Sequence, residues 1–389
     1  MASVDSDALE AARLAAIEES GWGRPFKLFQ PHNAAFWVYV LVVVAGALSF
    51  GRYLSAGLPA YRQALIVAVV FVAIYTVPFW LFIRHNDRYE REPAKLALVG
   101  FVWGALAATF ALALSANQAI LDLYAKAFGQ AWVHDWGPGL TAPFVEELSK
   151  GAGIVLLIVL APQLVRSAYD GLILGAFVGL GFEVLEDLFY AFNGAAAQFG
   201  ANQTGEALTI LALRGVTGLF SHALYSALFG MGLVWFLGRP NEPRRRMRGL
   251  AFMLAAVLAH GSWDAAAALG RGTVAGSLLV ALATAVFGVA VLLIGVRWAA
   301  TRERIWMRDL MAPELERGVI TAAELDALSG RRKERKAYIK AGKGYRNHRV
   351  ARHVLHAATD LAEEIARAGG ADNDRVLHAR AELARVRGS

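Results

Sequence analysis

FVEELSKGAGIVLLIVL, residues 144–160, is greasy along most of its length, yet it opens with Glu146, Glu147 and Lys150. A charge at the bilayer centre costs about 3 kcal/mol even on lenient insertion scales. Three of them within five residues need a physical reason, and the rest of the chain has to supply it.

Composition sets the class. The chain has 389 residues, of which 57% are hydrophobic and 18% charged, with a mean hydropathy of +0.42. That is too apolar and too poor in charge for an ordinary soluble domain, and it reads as an all-α polytopic membrane protein. The formal charge of +7 and the pI near 9.6 could suggest nucleic acid, but the basic residues gather in loops and in the C-terminal tail, where flanks of spanning helices carry them. No nucleic-acid partner is expected. There is no cysteine, so disulfides, thiolate metal sites and a cysteine nucleophile are excluded. A polar run over residues 1–33 precedes the first apolar segment and does not resemble a signal peptide.

A hydrocarbon core needs about 20 apolar residues of helix. Eight candidate spans meet that measure, near 34–51, 64–83, 95–115, 141–161, 169–192, 208–237, 249–269 and 273–299. The loops after spans two, four and six carry Arg84, Arg88, Arg91, Arg166, Arg239, Arg244, Arg245, Arg246 and Arg248, whereas the alternate loops carry few basic residues. Both termini are therefore expected in the cytoplasm, with a bacterial cytoplasmic membrane as the expected location. The outer loop 116–140 ends in WVHDWGPG, whose Gly-Pro-Gly is expected to break any helix before span four. The chain divides into a polar segment 1–33, a membrane domain 34–300 and a basic helical tail 301–389. In the tail TAAE (321–324) fits a capping box, and Val350, Val354, Leu355, Ala358, Leu361 and Ile365 form one apolar stripe. The tail reads as a small helical module with a solvated basic face, or as a surface for anionic lipid headgroups or a protein partner.

The polar residues that lipid should exclude are clustered. Span four holds Glu146, Glu147 and Lys150, span five Glu183, Glu186 and Asp187, span six His222, and span seven His260 and Asp264. Counted from the outer ends of their spans at 1.5 Å per residue, Glu147 and Glu186 lie ~9 Å deep, Glu183, His222 and His260 ~12–13 Å, and Asp264 ~8 Å. Four helices thus bring carboxylates and imidazoles to one level, on faces that must point into a bundle or a wet cavity. Zinc suits such a set, usually with three protein ligands and a water, while a further carboxylate acts as general base; peptide hydrolysis is then accessible. Lys150 would keep a neighbouring glutamate ionised, and Asp264 could ligate or orient a ligand. A proton or cation transporter would use similar residues, but it should extend them across the membrane and show matched halves with broken helices.

The motifs also resemble a known family. EELSK (146–150) is similar to the EExxK motif of the PrsW family of intramembrane metalloproteases, distant relatives of the CAAX prenyl endopeptidases and of abortive-infection membrane proteases. GLGFEVLEDLFY (179–190) resembles the family's GxGF motif followed by Glu-Asn and a tyrosine, with Glu186 and Tyr190 in the matching positions. His222, after Arg214, resembles the third motif, HGSWD (260–264) the fourth, usually HxxWN, and DRYEREP (87–93) an acidic-proline signature. Asp187 and Asp264 stand where the family usually has Asn. The resemblance covers roughly residues 84–269.

It implies cleavage of a single-span membrane protein near its outer face, such as an anti-sigma factor, with the lipid bilayer as the medium. The expected general base is Glu147, assisted by Glu146; the expected ligands of Zn²⁺ or another divalent metal are Glu186, His222 and His260, with Lys150, Asp264 and Glu183 in support. A variant makes His260 and Asp264 an oxyanion site. A CAAX-type endopeptidase is the alternative enzyme, though it should hold its site toward the cytosol.

Overall fold

The computed structural model describes residues 6–89, 91–217, 221–342 and 344–388, without the side chains of 216, 217 and 345. Among the described residues there is no β-strand, and the chain is an all-α polytopic membrane protein. It opens with α1 (Ser6–Ser20), followed by α2 (Ala34–Asn86), whose N-cap Asn33 accepts a hydrogen bond from the Ala35 amide.

Spans one and two fall together in α2, which leaves helical geometry at Tyr61 (φ −121°, ψ 31°), two residues after Pro59. The hydrogen bonds at its ends show that it doubles back there. Gln30, just before it, donates to the Leu160 carbonyl at 2.8 Å, and the Asn86 carbonyl accepts from the Tyr169 hydroxyl, so both ends lie beside the turn between residues 160 and 169. Its middle lies at the opposite end of the molecule, where Tyr53 bonds Asn193 (2.8 Å) and Gln203 bonds the Ala60 carbonyl (2.8 Å).

Next, α3 (Ala94–Val102), a π-helical segment (Trp103–Ala113) and α4 (Leu114–Phe128) form one continuous helix. Then α5 (Gln130–Leu160) runs through Gly137-Pro138-Gly139 without the expected break. A proline removes one amide donor, and inside a membrane bundle neighbouring helices can accommodate the freed carbonyl. α6 (Ala168–Ala197) starts at a capping box between Ser167 and Asp170. The expected sixth span is covered by α7 (Gln203–Thr217) and α8 (His222–Leu237), with residues 218–220 outside the described ones; Ser221 leaves helical geometry (φ −75°, ψ −83°), so His222 is the first residue of α8 instead of a point inside a long helix. α9 (Arg246–Asp264) and the short α10 (Ala266–Leu269) lead into α11 (Val274–Glu316), which runs well past the expected membrane boundary at 299. By length and composition alone Ala34–Asn86, Ala94–Phe128 and Val274–Glu316 are apolar enough to cross a membrane. α5 and α6 contain the buried charges.

α6 is the hub, packed against α8, α2 and the π-helical segment. Glycines four residues apart on one face make the approach to α8: a Cβ on Gly175 would lie 2.1 Å from the Ser226 carbonyl oxygen, and one on Gly179 2.2 Å from that of His222. Only a residue without a side chain lets two backbones approach this closely.

At the end that holds both termini, the loops converge. Arg166 donates to the Glu19 carbonyl (2.9 Å), Arg239 to those of Val165 and Pro162 (2.8 Å each), and Asn241 to that of Glu19 (2.9 Å). The expected alternation of basic loops is thus present as a single face. Beyond it lie α12 (Ala322–Ser329), α13 (Arg332–Ala341), α14 (Tyr345–Arg367) and α15 (Asp374–Arg387). The Thr321–Glu324 capping box is formed, and the stripe on α14 is buried from Val354 to Ile365. Arg13 of α1, fully buried, bonds the Leu310 carbonyl (2.9 Å) and Glu314 (2.8 Å), while Arg380 of α15 grips Glu314 at 2.7 and 2.8 Å.

Candidate active site

Four helices bring their polar residues to one place. α5 turns Glu146, Glu147 and Lys150 inward on adjacent turns, all nearly or fully buried. Lys150 Nζ lies 2.9 Å from Glu147 Oε1, 3.5 Å from Glu146 Oε2 and 2.8 Å from His222 Nδ1, with its charge 3.9 Å above the Phe182 ring. The ammonium therefore compensates both glutamates, as lipid could not.

His222 owes its position to the start of α8 after the non-helical Ser221. Glu183 of α6 caps the start of α8, accepting from the Ser221 hydroxyl (2.8 Å) and the His222 amide (3.3 Å). A carboxylate there also meets the positive end of the helix dipole. The other ring nitrogen, Nε2, lies 2.9 Å from Glu186 Oε2. Glu186 in turn binds Arg214 at 2.5 Å, and Arg214 also bonds Asp187, whose second oxygen accepts from Tyr75 at 2.7 Å. His260 of α9 stands edge-on to His222, ring centroids 4.9 Å apart, and stacks on Tyr225 at 5.3 Å. Its Nδ1 approaches Glu147 Oε1 at 3.2 Å without hydrogen-bond geometry, and its Nε2 is 3.4 Å from Asp264 Oδ2.

Glu146 Oε2 stands between the imidazoles, 3.8 Å from His222 Nδ1 and 3.7 Å from His260 Nε2, while Oε1 accepts from Asn117 at 3.1 Å. Donor atoms of Glu146, His222 and His260 all lie within 4.8 Å of one another. A cavity of about 450 Å³ is bordered by Asn117, Glu146, Glu186, His222, His260 and Asp264, and by Gln118 and Pro138 toward the end away from the termini. Glu147 does not border it: this residue is fully buried behind Glu146, held by Lys150 and by the Ser226 hydroxyl at 3.1 Å.

The residues present fit a divalent ion. Six carboxylates (Glu146, Glu147, Glu183, Glu186, Asp187, Asp264) face only two permanent cations, Lys150 and Arg214, among the described residues of the cluster. His260 Nδ1 and Asp264 Oδ2 are buried without a hydrogen-bond partner there. An imidazole pair beside an excess of carboxylates suits zinc among the common metals.

All eight residues singled out from sequence belong to this cluster. Four others were not, or were given another part. Arg214 anchors Glu186 and Asp187, and Tyr190 carries the Arg214 guanidinium 4.3 Å from its ring. Ser226 and Asn117 were not anticipated, although Ser226, one turn after His222, shares its helix face.

The family described as PrsW family intramembrane metalloprotease matches residues 92–295. Protease PrsW of Clostridioides difficile (strain 630) is 25% identical over 197 residues, which is 48% of this chain and 72% of that protein. No solved structure matches.

Proposed function

Because the chain belongs to the PrsW family of intramembrane metalloproteases, and is thus a membrane-embedded metal-dependent peptidase, we propose that it cleaves a single-span membrane protein, such as an anti-sigma factor, near the extracytoplasmic face. The observation that carries this reading is the meeting of Glu146, His222 and His260 at a cavity reaching away from the terminal face. That face, with its arginine-rich loops, is the cytoplasmic one under the positive-inside rule.

In this reading His222 and His260 would hold the ion, which we take to be Zn²⁺, and Glu146 Oε2 stands between the two imidazoles. When bound, the ion would polarise a peptide carbonyl and lower the pKa of water. Glu146, which borders the cavity, accepts the water's proton; Glu147, the expected base, has no surface there and instead holds Lys150 and the Ser226 hydroxyl. Glu186, fixed by Arg214, orients His222 through Nε2, and Asp264 stands beside His260 at the cavity wall.

The test is cleavage of reconstituted single-span proteins by the full chain in liposomes. Wild type should cut, and a zinc chelator, Glu146→Gln or His260→Ala should each abolish the cut while the protein stays folded. Cleavage that survives chelation would remove the metal from the reading.

A further inference from the structure

On the terminal face, well away from the peptidase cavity, the segment after α1, the loop before α3 and helix α14 enclose a second cavity of about 420 Å³. Arg24, Arg91 and Arg367 border it with Trp22, Tyr89 and Glu363, which sets three guanidiniums against one carboxylate. Glu363 is shared: Arg367 holds it at 3.0 Å and Arg91 lies 3.7 Å away. Among the described residues no carboxylate lies within ion-pair distance of Arg24; Glu90, in the adjoining loop, lies outside them.

Two further observations point to a missing anion. The Trp22 side chain is 4% exposed, and its indole N–H has no acceptor among the described residues. Behind the wall stand Arg88, against the Tyr89 ring, and Arg335, whose guanidinium is lowered from its usual range by burial and by repulsion from Arg88 and Arg91. The wall is also fixed in place. Gly23 has φ +78°, and a Cβ there would lie 2.5 Å from the Arg367 amide nitrogen, so the segment bearing Trp22 and Arg24 is pressed onto α14.

We propose that this cavity binds the phosphate group of an anionic ligand, whether a phospholipid headgroup or a soluble phosphate ester, and thereby ties the tail to the membrane domain. Guanidinium forks match phosphate oxygens in pairs, and the indole N–H adds a single directed donor. Pro93, on the cavity wall, immediately precedes α3, so the site sits where a membrane-embedded helix emerges at headgroup level. The proposal is independent of the peptidase chemistry.

The full chain in neutral detergent would be titrated calorimetrically with dihexanoyl phosphatidylglycerol, with dihexanoyl phosphatidylcholine, and with inorganic pyrophosphate. Wild type is expected to bind phosphatidylglycerol or pyrophosphate, and Arg24→Gln to weaken that binding about tenfold, the loss of one charge-assisted contact. Trp22→Phe, which keeps the bulk and removes only the N–H, should weaken it by a smaller factor. Preference for phosphatidylglycerol over pyrophosphate identifies a lipid; the reverse identifies a soluble phosphate. Absence of binding to both probes, or equal binding by wild type, Arg24→Gln and Trp22→Phe, overturns the proposal.

Discussion

Glu146 and Glu147 are neighbours in sequence with different fates. Glu146 meets the cavity and both imidazoles, whereas Glu147 is enclosed by Lys150, Ser226 and His260. Removing one partner of a fully buried ion pair costs about 3–5 kcal/mol, because the other charge stays behind. Glu147→Gln should therefore lower thermal stability as well as activity, whereas Glu146→Gln should abolish cleavage with little loss of stability. Thermal denaturation beside the cleavage assay separates the two. The motif made the pair conspicuous, but which carboxylate faces the cavity depends on how α5 is rotated in the bundle. Two residues one step apart on a helix point about 100° apart, so only one of them can face a given opening.

At the scale of elements, the approach of α6 to α8 brings Glu183 and Glu186 to His222. It rests on Gly175 and Gly179, each of which would drive a Cβ into a backbone oxygen. Gly175→Ala should cost about 1–3 kcal/mol by overpacking. It should also reduce cleavage, and Gly175→Leu should prevent assembly. Both are read from detergent-resistant folding and from turnover. The glycine spacing was present in the sequence, though unused, because a glycine in a helix signals nothing until its opposite helix is known. The same holds for the discontinuity before His222: hydropathy sees one apolar run over 208–237, and only the docking of Glu183 onto the Ser221 hydroxyl and His222 amide shows where the helix starts again.

A second acidic group lies where the loop 87–93 meets α11. Asp87 is pushed up to about 7, chiefly by burial, with Arg84 opposing, and Glu303 is raised well above the usual carboxylate range by burial and by neighbouring Asp170, Asp87 and Glu242. Glu92, buried beside them, is raised for the same reason. Each of these carboxyls keeps its proton in the folded chain at a pH where the unfolded chain has released it. The folded state then binds more protons, so stability falls as pH rises from about 4 through 7, the reverse of an ordinary salt-bridged carboxylate. Hydrogen exchange of α11 beyond residue 300 should accelerate between pH 5 and 8, and Glu303→Gln should flatten that dependence. An unchanged slope in the variant would assign the effect elsewhere.

Across the whole molecule, the terminal face joins the first and last helices of the chain. Glu314 of α11 is held by Arg13 of α1 and Arg380 of α15, and Trp306 donates to Glu19 at 3.0 Å. Removing residues 1–20 should expose α14 and α15 to limited proteolysis while leaving the membrane helices intact, which a protease digest of the reconstituted protein would show. Neither tail nor N-terminus suggested this partnership in sequence, since Arg13 and Glu314 lie 301 residues apart.

The amino-acid order alone established membrane residence, the main apolar runs, the placing of the basic residues in alternate loops and the identities of the clustered polar residues. These properties follow from local hydropathy, charge placement and helical spacing, each readable within a turn or a span. Tertiary packing decided which carboxylate meets the cavity, where the sixth apolar run divides, how α2 doubles back at Tyr61, and that the tail closes over the N-terminal helix. Each of those outcomes depends on the rotation and approach of helices far apart in the chain. Glycines such as Gly175 and Gly179, where a Cβ would run into an opposing carbonyl oxygen, together with buried ion pairs that only a neighbouring element can complete, select among arrangements that hydropathy leaves equivalent.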